Sequence, residues 1–316
     1  MHIQINELNG DQMITILNPV TKESATINAS IGGTLISLKL KAAEEVHEII
    51  TIPYQQTYSL GENPFYPSGL LTPWVNRVRN GNYSFLGKNY QLPINEKNLG
   101  NAIHGFMARE KFSIVQQTKN EEMASITLCA QAQGNFEGYP FPFEAYLTYS
   151  LQVNGLFTFT MACKNTGNTP LPFAIGWHPY FQLGNNLDDL TLYFNSIEKY
   201  LSDSQMIPLK AESFNAEKGM KLMNEKPDHV FLLQKSKSNS VALQNTKSNL
   251  QLALSFSSEE FPYFVAFCPE NESCIALEPM TGNTDCFNTF EGLLELAPNQ
   301  SFAGEIKITL SKIGQN

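Results

Sequence analysis

The chain has 316 residues, of which 42% are hydrophobic, 11% aromatic and only 16% charged. This composition predicts a folded, sheet-rich protein with a large core and argues against disorder, since soluble chains average about 25% charged residues. The net charge is −9 and the arginines are Arg77, Arg79 and Arg109 alone. Without a dense basic run, nucleic-acid binding and attachment to anionic membranes are not expected.

The N-terminus and the cysteines predict a cytoplasmic protein. The start, MHIQINELNGDQMITIL, lacks a basic segment followed by an apolar stretch, so no signal peptide is predicted, although a chain from which one had been removed would look the same. Apolar runs fall far short of the roughly 20 residues that a membrane helix needs. An odd number of cysteines without a Cys-x-x-Cys pair predicts buried free thiols: Cys129, Cys163, Cys268, Cys274 and Cys286.

Strand signals dominate the first half of the chain. Ser30–Lys41 is rich in β-branched residues after a Gly-Gly turn. Tyr83–Leu92 predicts a short hairpin that turns at Gly87-Lys88. Ala145–Cys163 predicts a longer hairpin, because two alternating runs flank Asn154-Gly155, a strong hairpin dipeptide.

The second half continues the pattern. Asp203–Lys221 is interpreted as a short helix, and Lys235–Asn249 as a polar loop with a short strand. Strands are predicted at Leu250–Ser257 and Phe302–Leu310. Neither an internal repeat nor a linker is evident, so we predict an all-β fold, a large antiparallel β-sandwich, in a single domain over residues 1–316.

Two histidines stand in unusual contexts. His104 lies between glycines in GNAIHGF, which suggests a tightly held loop where backbone approaches a ligand, or a buried histidine bonded to a carbonyl. His178 precedes a proline in GWHPYFQL, which favours extended backbone. Its neighbours Trp177, Tyr180 and Phe181 could stack on a sugar or simply form core.

Three charged residues are further candidates. Arg77 and Arg79 in WVNRVRNG would share one face of a strand, where a guanidinium could bind hydroxyls or remain surface charge. Asp228 in KPDHVFL could accept hydrogen bonds from substrate or from its own turn. Glu278 is predicted to end an apolar strand. Partial burial there would raise its pKa, which suits a general base, whereas a side chain that faces water would have no such role.

Common metal and nucleophile motifs are missing from the sequence. It has no His-Glu-x-x-His, no zinc-type cysteine spacing, no Gly-x-Ser-x-Gly, no Walker loop and no Gly-x-Gly-x-x-Gly. Zinc held by His104, His178 and Glu278 is conceivable, but we predict neither a metal nor another cofactor.

Taken in order, NRVRNG, AIHGF, WHPYF, PDHVF and ALEPMTGNTDCFN resemble the motifs of the aldose 1-epimerase (galactose mutarotase) family. No single motif is specific to the family, but the occurrence of all five in the right order between about residues 70 and 290 is specific. The resemblance implies a galactose mutarotase-like supersandwich and interconversion of the α and β anomers of a hexose such as galactose or glucose.

The resemblance also implies roles for five residues, which should line one cleft. Glu278 would be the general base, His178 the general acid, and His104 would assist near the ring oxygen. Arg77 and Asp228 would hold sugar hydroxyls. A nearby Glu should favour the charged imidazolium. Mutarotation needs only this acid and base, and no cofactor.

Two departures from the family pattern bear on sugar preference. Phe106 stands where the family often has a second glycine after the histidine, and Trp177 could crowd or stack on the sugar. The alternatives are a hexose-6-phosphate 1-epimerase, which needs extra cations such as Arg79 or Arg109, and a non-catalytic carbohydrate-binding protein. The expected partner is a small monosaccharide, with no nucleic acid or membrane, and the protein is expected to be a monomer or homodimer.

Overall fold

The computed structural model describes residues 1–314 and is built almost entirely from β-strands. In chain order the strands are β1 His2–Leu8, β2 Asp11–Leu17, β3 Ser24–Asn28, β4 Thr34–Ala42, β5 Glu45–Glu48, β6 Gly69–Leu71, β7 Arg77–Val78, β8 Asn82–Phe85, β9 Lys88–Gln91, β10 Ala102–Ile103, β11 Ser113–Lys119, β12 Met123–Gln133, β13 Pro142–Gln152, β14 Phe157–Asn165, β15 Leu171–Phe173, β16 Gly176–His178, β17 Tyr180–Phe181, β18 Leu190–Tyr193, β19 Ser196–Ser202, β20 Pro208–Ser213, β21 Met220–Lys221, β22 Asp228–Leu233, β23 Asn239–Asn245, β24 Leu250–Phe256, β25 Tyr263–Phe267, β26 Ile275–Met280, β27 Leu294–Leu296 and β28 Ser301–Lys312.

Helices are few and short. The α-helices are α1 Leu222–Glu225 and α2 Cys286–Thr289, and single 3₁₀ turns occur at Leu60–Glu62, Arg79–Gly81, Met107–Arg109 and Leu187–Asp189. No helix within residues 1–314 is long and apolar enough to cross a membrane.

Three large antiparallel sheets form most of the fold, and the pairs β7-β10, β8-β9 and β15-β27 form three small ones. The first is a five-stranded meander, β1-β2-β3-β4-β5. The second has nine strands in the order β11-β12-β13-β14-β28-β24-β23-β18-β21. The third has eight, β20-β19-β22-β25-β26-β16-β6 with β17 also paired to β26, and it carries the candidate site.

Aromatic side chains pack the second sheet against the third. Tyr149 stacks on Phe159, with ring centroids 4.8 Å apart, and Phe159 contacts Trp177 of β16 at 4.5 Å. All three rings are fully buried. The expected all-β antiparallel sandwich is therefore confirmed, with its core between sheets whose strands alternate inward apolar and outward polar residues.

Several local predictions agree with the structure, and one is wrong. The long hairpin is β13 and β14, and the short one is β8 and β9, although its turn lies one residue earlier than predicted, at Leu86-Gly87. The helix predicted over Asp203–Lys221 is absent from that segment, which contains β20 and β21 instead. β20 is an edge strand with both faces largely exposed, so its sequence lacks the alternation that identifies strands.

All five cysteines are free thiols, as predicted. Cys163, Cys274 and Cys286 are buried, whereas Cys129 and Cys268 keep part of their surface exposed.

Candidate functional site

The register of the eight-stranded sheet brings two candidate residues side by side. Gly176 of β16 pairs with Met280 of β26, so two residues further along β16 His178 lies beside Glu278. Glu278 in turn pairs with Val265 of β25. Because paired residues and alternate residues of a strand share a face, these side chains project from the same side of the sheet.

Asp228 belongs to the same face. It pairs with Phe267, which lies two residues from Val265 on β25, and Tyr180 pairs with Ala276, two residues from Glu278. The sheet thus presents His178, Tyr180, Glu278 and Asp228 as one surface.

Loops from the first third of the chain close over this face and create a cavity of about 380 Å³, within the usual size of small-molecule sites. It is referred to below as the first cavity. The five residues singled out from the sequence all line it: Arg77, His104, His178, Asp228 and Glu278.

Glu278 and His178 form a buried pair at the base of the cavity. Glu278 Oε1 lies 3.2 Å from His178 Nε2, and the two residues are only 2% and 5% exposed. Among residues 1–314, neither Glu278 Oε2 nor His178 Nδ1 has a hydrogen-bond partner. The contact is short enough for direct proton transfer, and Oε2 is left available for a ligand.

Burial sets the protonation of this pair. It raises the pKa of Glu278 well above its ordinary value, assisted by the negative charge of Asp228 and opposed by Arg77. It also lowers the pKa of His178 to about 3. Both shifts favour the neutral forms, the reverse of the charged imidazolium expected from the sequence, because desolvation of the two groups opposes their mutual attraction.

His104 approaches the pair from a loop. Its ring meets that of His178 edge to face, with centroids 5.2 Å apart, and that of Tyr66 at 4.9 Å. Burial, together with His178 and Arg77, lowers the pKa of His104 well below its ordinary value. The imidazole is therefore neutral at neutral pH, and its Nδ1 has no partner in the described part of the chain.

The glycine after His104 lies in a tightly held loop, as expected from the sequence. A Cβ on Gly105 would lie 2.0 Å from the carbonyl oxygen of Thr72, and its φ is +63°. His104 itself has φ +63°, an unfavourable conformation for a side chain with a Cβ. The loop is thus pressed against the Thr72 backbone, which fixes the position of the imidazole.

Arg77 is held by a carboxylate that sequence reasoning missed. Its Nε donates to both oxygens of Glu96, at 3.1 and 2.9 Å, and Nη2 donates to Glu96 Oε1 at 2.8 Å. Nη1 donates to Asn76 Oδ1 at 3.0 Å. This fixes the guanidinium plane at the cavity wall.

The two neighbouring arginines do not share a face, contrary to expectation. β7 ends at Val78, and Arg79 begins a 3₁₀ turn. Its Nη2 donates to Asp203 at 2.6 Å, away from the cavity lining.

Asp228 lies at the mouth of the cavity and retains accessible surface. Partial desolvation raises the pKa of its carboxyl, while the positive charge of Arg77 opposes that rise. The neighbouring His229 points elsewhere and packs edge-on against Phe231, with centroids 6.3 Å apart.

The two departures from the family pattern do not line the first cavity. Trp177 is fully buried, donates from Nε1 to Ser68 O at 3.1 Å and packs on Phe159. Phe106 is partly buried against the core and stacks on Phe136 with centroids 4.0 Å apart. Trp177 forms core, one of the two roles that its sequence context allowed, because it precedes His178 by one position and faces the opposite side of the sheet.

Other residues also line the cavity. Tyr66 and Asn95 gave no signal in the sequence, whereas Arg109 was named there as a possible phosphate-binding cation. The Arg109 guanidinium stacks over the Tyr66 ring, 5.1 Å from its centroid. Within residues 1–314, no group of three or more His, Cys, Asp or Glu side chains is arranged to hold a metal ion.

Comparison with known proteins shows which family this chain matches. The sequence model of the family described as Aldose 1-epimerase matches residues 12–309. The Escherichia coli K12 protein YihR, described as uncharacterized, is 28% identical over 235 residues, covering 72% of this chain and 73% of YihR.

Solved structures share the fold. A galactose mutarotase-like protein from Clostridium acetobutylicum superimposes with a TM-score of 0.85 at 20% identity, covering 99% of both chains. Galactose 1-epimerase from Lactobacillus acidophilus does so with a TM-score of 0.78 at 17% identity, covering 98% of this chain and 99% of that one.

Proposed function

The chain belongs to the aldose 1-epimerase family, and from this premise we propose that it interconverts the α and β anomers of a free hexose such as galactose or glucose. The observation that carries the proposal is the buried Glu278–His178 contact of 3.2 Å at the base of a cavity that Arg77 and Asp228 also line. One carboxyl, one imidazole and one shared proton are the components that reversible ring opening requires.

The proposed reaction begins when the sugar enters and its hydroxyls replace water around the pair. The shared proton moves from Glu278 to His178 as the sugar O1–H donates to the carboxylate. Glu278 then takes the O1 proton while His178 protonates O5. The C1–O5 bond breaks and C1=O1 forms.

Ring closure reverses these transfers on the other face. Rotation about C1–C2 presents the opposite face of the aldehyde to the O5 hydroxyl. O5 attacks C1 and returns its proton to His178, while Glu278 returns its proton to O1. As the product leaves, the shared proton returns from His178 to Glu278, so every group ends as it began and the scheme consumes nothing.

The other cavity residues are assigned binding roles. Arg77, held in plane by Glu96, offers donors to sugar hydroxyls. Asp228 accepts from hydroxyls at the mouth. Neutral His104, placed against His178, contacts the ring-oxygen side of the sugar. We further propose a single catalytic domain over residues 1–316, acting as a monomer or homodimer in the cytoplasm, where free thiols persist.

Polarimetry tests the proposal. Freshly dissolved α-D-glucose and α-D-galactose should relax faster with wild-type protein than in buffer, and Glu278→Gln should remove most of that acceleration. No acceleration with either sugar would refute action on free hexoses.

Arg109 supports a second candidate, a hexose-6-phosphate 1-epimerase. Its guanidinium lines the cavity, and no carboxylate lies within 4.0 Å of it in the part of the chain that the structure describes. A phosphate could bind there. The same assay with α-D-glucose 6-phosphate distinguishes the two, because Arg109→Ala would then reduce turnover of the phosphate ester and spare glucose.

A further inference from the structure

Asn101 is a buried amide that does not line the first cavity but is connected to its wall. It directly precedes β10, in which Ile103 pairs with Arg77 of β7. Asn101 Nδ2 donates to Glu96 Oε2 at 3.2 Å, and Glu96 accepts from the guanidinium of Arg77. The three side chains therefore form a continuous chain of contacts that runs from the protein interior to the cavity.

The carboxylate of Glu96 depends on Asn101 for its orientation. Among residues 1–314, its side-chain hydrogen bonds come from Arg77 and Asn101 alone. The backbones of Glu96 and Asn101 also pair, since Glu96 N donates to Asn101 O at 3.1 Å and Asn101 N donates to Glu96 O at 3.3 Å. Without the amide, only Arg77 would contact the carboxylate, and the two charged groups could turn together.

The same amide contacts the sheet that carries the acid–base pair. Asn101 Nδ2 donates to Gln205 O at 2.9 Å, and Gln205 lies in the turn between β19 and β20 of the eight-stranded sheet. Because a carboxylate and a carbonyl oxygen can only accept, the NH₂ group and not Oδ1 must face both partners. Asn101 thereby fixes the position of Glu96 relative to that sheet.

We infer that Asn101 is a positioning residue for sugar binding, which acts on the sugar through Glu96 and Arg77. A buried polar network is rigid when every member is satisfied, and a rigid donor binds a hydroxyl without first losing rotational freedom. Removal of the amide should therefore weaken sugar binding and leave the chemistry at Glu278 unaffected. The inference rests on the proposed function and adds to it a residue that does not touch the sugar.

A double-mutant cycle between Asn101→Ala and Arg77→Ala tests the inference, with D-glucose and D-galactose followed by polarimetry. In the wild-type background, Asn101→Ala should raise KM by about fivefold and change kcat by less than about twofold, since residues of one hydrogen-bond network couple by amounts of this order. In the Arg77→Ala background it should change kcat/KM by less than about twofold, because the group through which Asn101 acts is gone.

Asn165→Ala is the matched control. Asn165 is also fully buried, and its Nδ2 also donates to two oxygens, Thr169 O at 2.8 Å and Leu296 O at 2.7 Å, but it does not line the first cavity. This variant should lower the free energy of unfolding in urea and leave KM unchanged. Asn101→Ser is carried through the same cycle, because its smaller polar side chain leaves space for water beside Gln205 O if the alanine variant does not fold.

Three results overturn the positioning role while leaving the proposed function intact. They are an unchanged KM in the folded Asn101 variants, a fall in kcat as large as the rise in KM, and a loss of kcat/KM that persists in the Arg77→Ala background. Failure of the wild-type protein to accelerate any sugar overturns both the positioning role and the proposed function.

Discussion

Replacing Glu278 by Gln removes the proposed base while leaving the packing almost unchanged. The side chain is 2% exposed, and its Oε2 has no hydrogen-bond partner in residues 1–314. Burial raises the pKa of the carboxyl and so favours its neutral form, and a neutral amide of the same shape should therefore alter the free energy of unfolding by no more than about 1 kcal/mol.

Catalysis should respond far more strongly. General acid–base groups typically contribute about 10²–10⁴-fold, which corresponds to about 2.7–5.4 kcal/mol of activation free energy at about 1.36 kcal/mol per tenfold. We expect kcat for α-D-galactose or α-D-glucose to decrease by a factor within that range. KM should change little, since Arg77 and Asp228 remain in place to hold the hydroxyls.

Polarimetry on freshly dissolved α-anomer measures kcat, and urea unfolding measures the free energy of unfolding. Glu23→Gln is the matched control, because Glu23 is also 2% exposed but lies directly before β3 of the five-stranded sheet, where it accepts from Lys41 N and Thr21 Oγ1. Near-wild-type kcat in Glu278→Gln would refute the assignment of the base. Equal losses in both variants would attribute the effect to general damage.

Further predictions concern the partner, the pH profile and the supporting loops. His178→Asn should lower kcat by about 10²–10⁴-fold with the fold retained, as urea unfolding and polarimetry would show. Because burial lowers the pKa of His178 to about 3, the imidazole should gain no further proton as pH falls from 6.5 to 5, and kcat/KM should hold steady over that interval. Loss of activity across that interval would mean that a second proton binds far more readily than the burial of Glu278 and His178 allows. Arg77→Lys, which cannot reproduce the planar contact with Glu96, should affect KM more than kcat: the factor by which KM rises should exceed the factor by which kcat falls by about tenfold. Gly105→Ala should destabilise the fold by more than about 1 kcal/mol in urea, since its Cβ would lie 2.0 Å from Thr72 O; an unchanged midpoint would contradict the close approach.

Much of the sheet face could be predicted from the sequence. His178 was recognisable at the end of an apolar strand and Glu278 as a carboxylate in an apolar run, although β26 continues two residues beyond Glu278. Alternation along a strand fixes the faces of their neighbours. The orientation of Trp177 could have been predicted in the same way, since successive strand residues face opposite sides of a sheet. Placing His178 in the cavity therefore requires Trp177 to lie in the core, where it is found.

The contributions of the loops could not be predicted in this way. Glu96 contacts Arg77 from a position 19 residues away, and Arg109 reaches Tyr66 from a separate turn. Neither contact follows from a period or a motif, because loop paths are determined by tertiary packing. The protonation of the Glu278–His178 pair could not be predicted for a related reason. The sequence around a carboxylate in a strand does not show whether its side chain faces water or the core.

This division between sheet and loops has a functional consequence. Glu278 and His178 stand on two adjacent strands, 3.2 Å apart, whereas Arg77, in the two-residue strand β7, is held by the loop residue Glu96. His104 lies in a loop, and Asp228 is the first residue of β22. Rigid strands suit groups that must meet reacting atoms within a few tenths of an ångström, and loops suit groups that determine which sugar is held. Substitutions on β16 and β26 should therefore act chiefly on kcat, and substitutions in the covering loops chiefly on KM and on the choice of sugar.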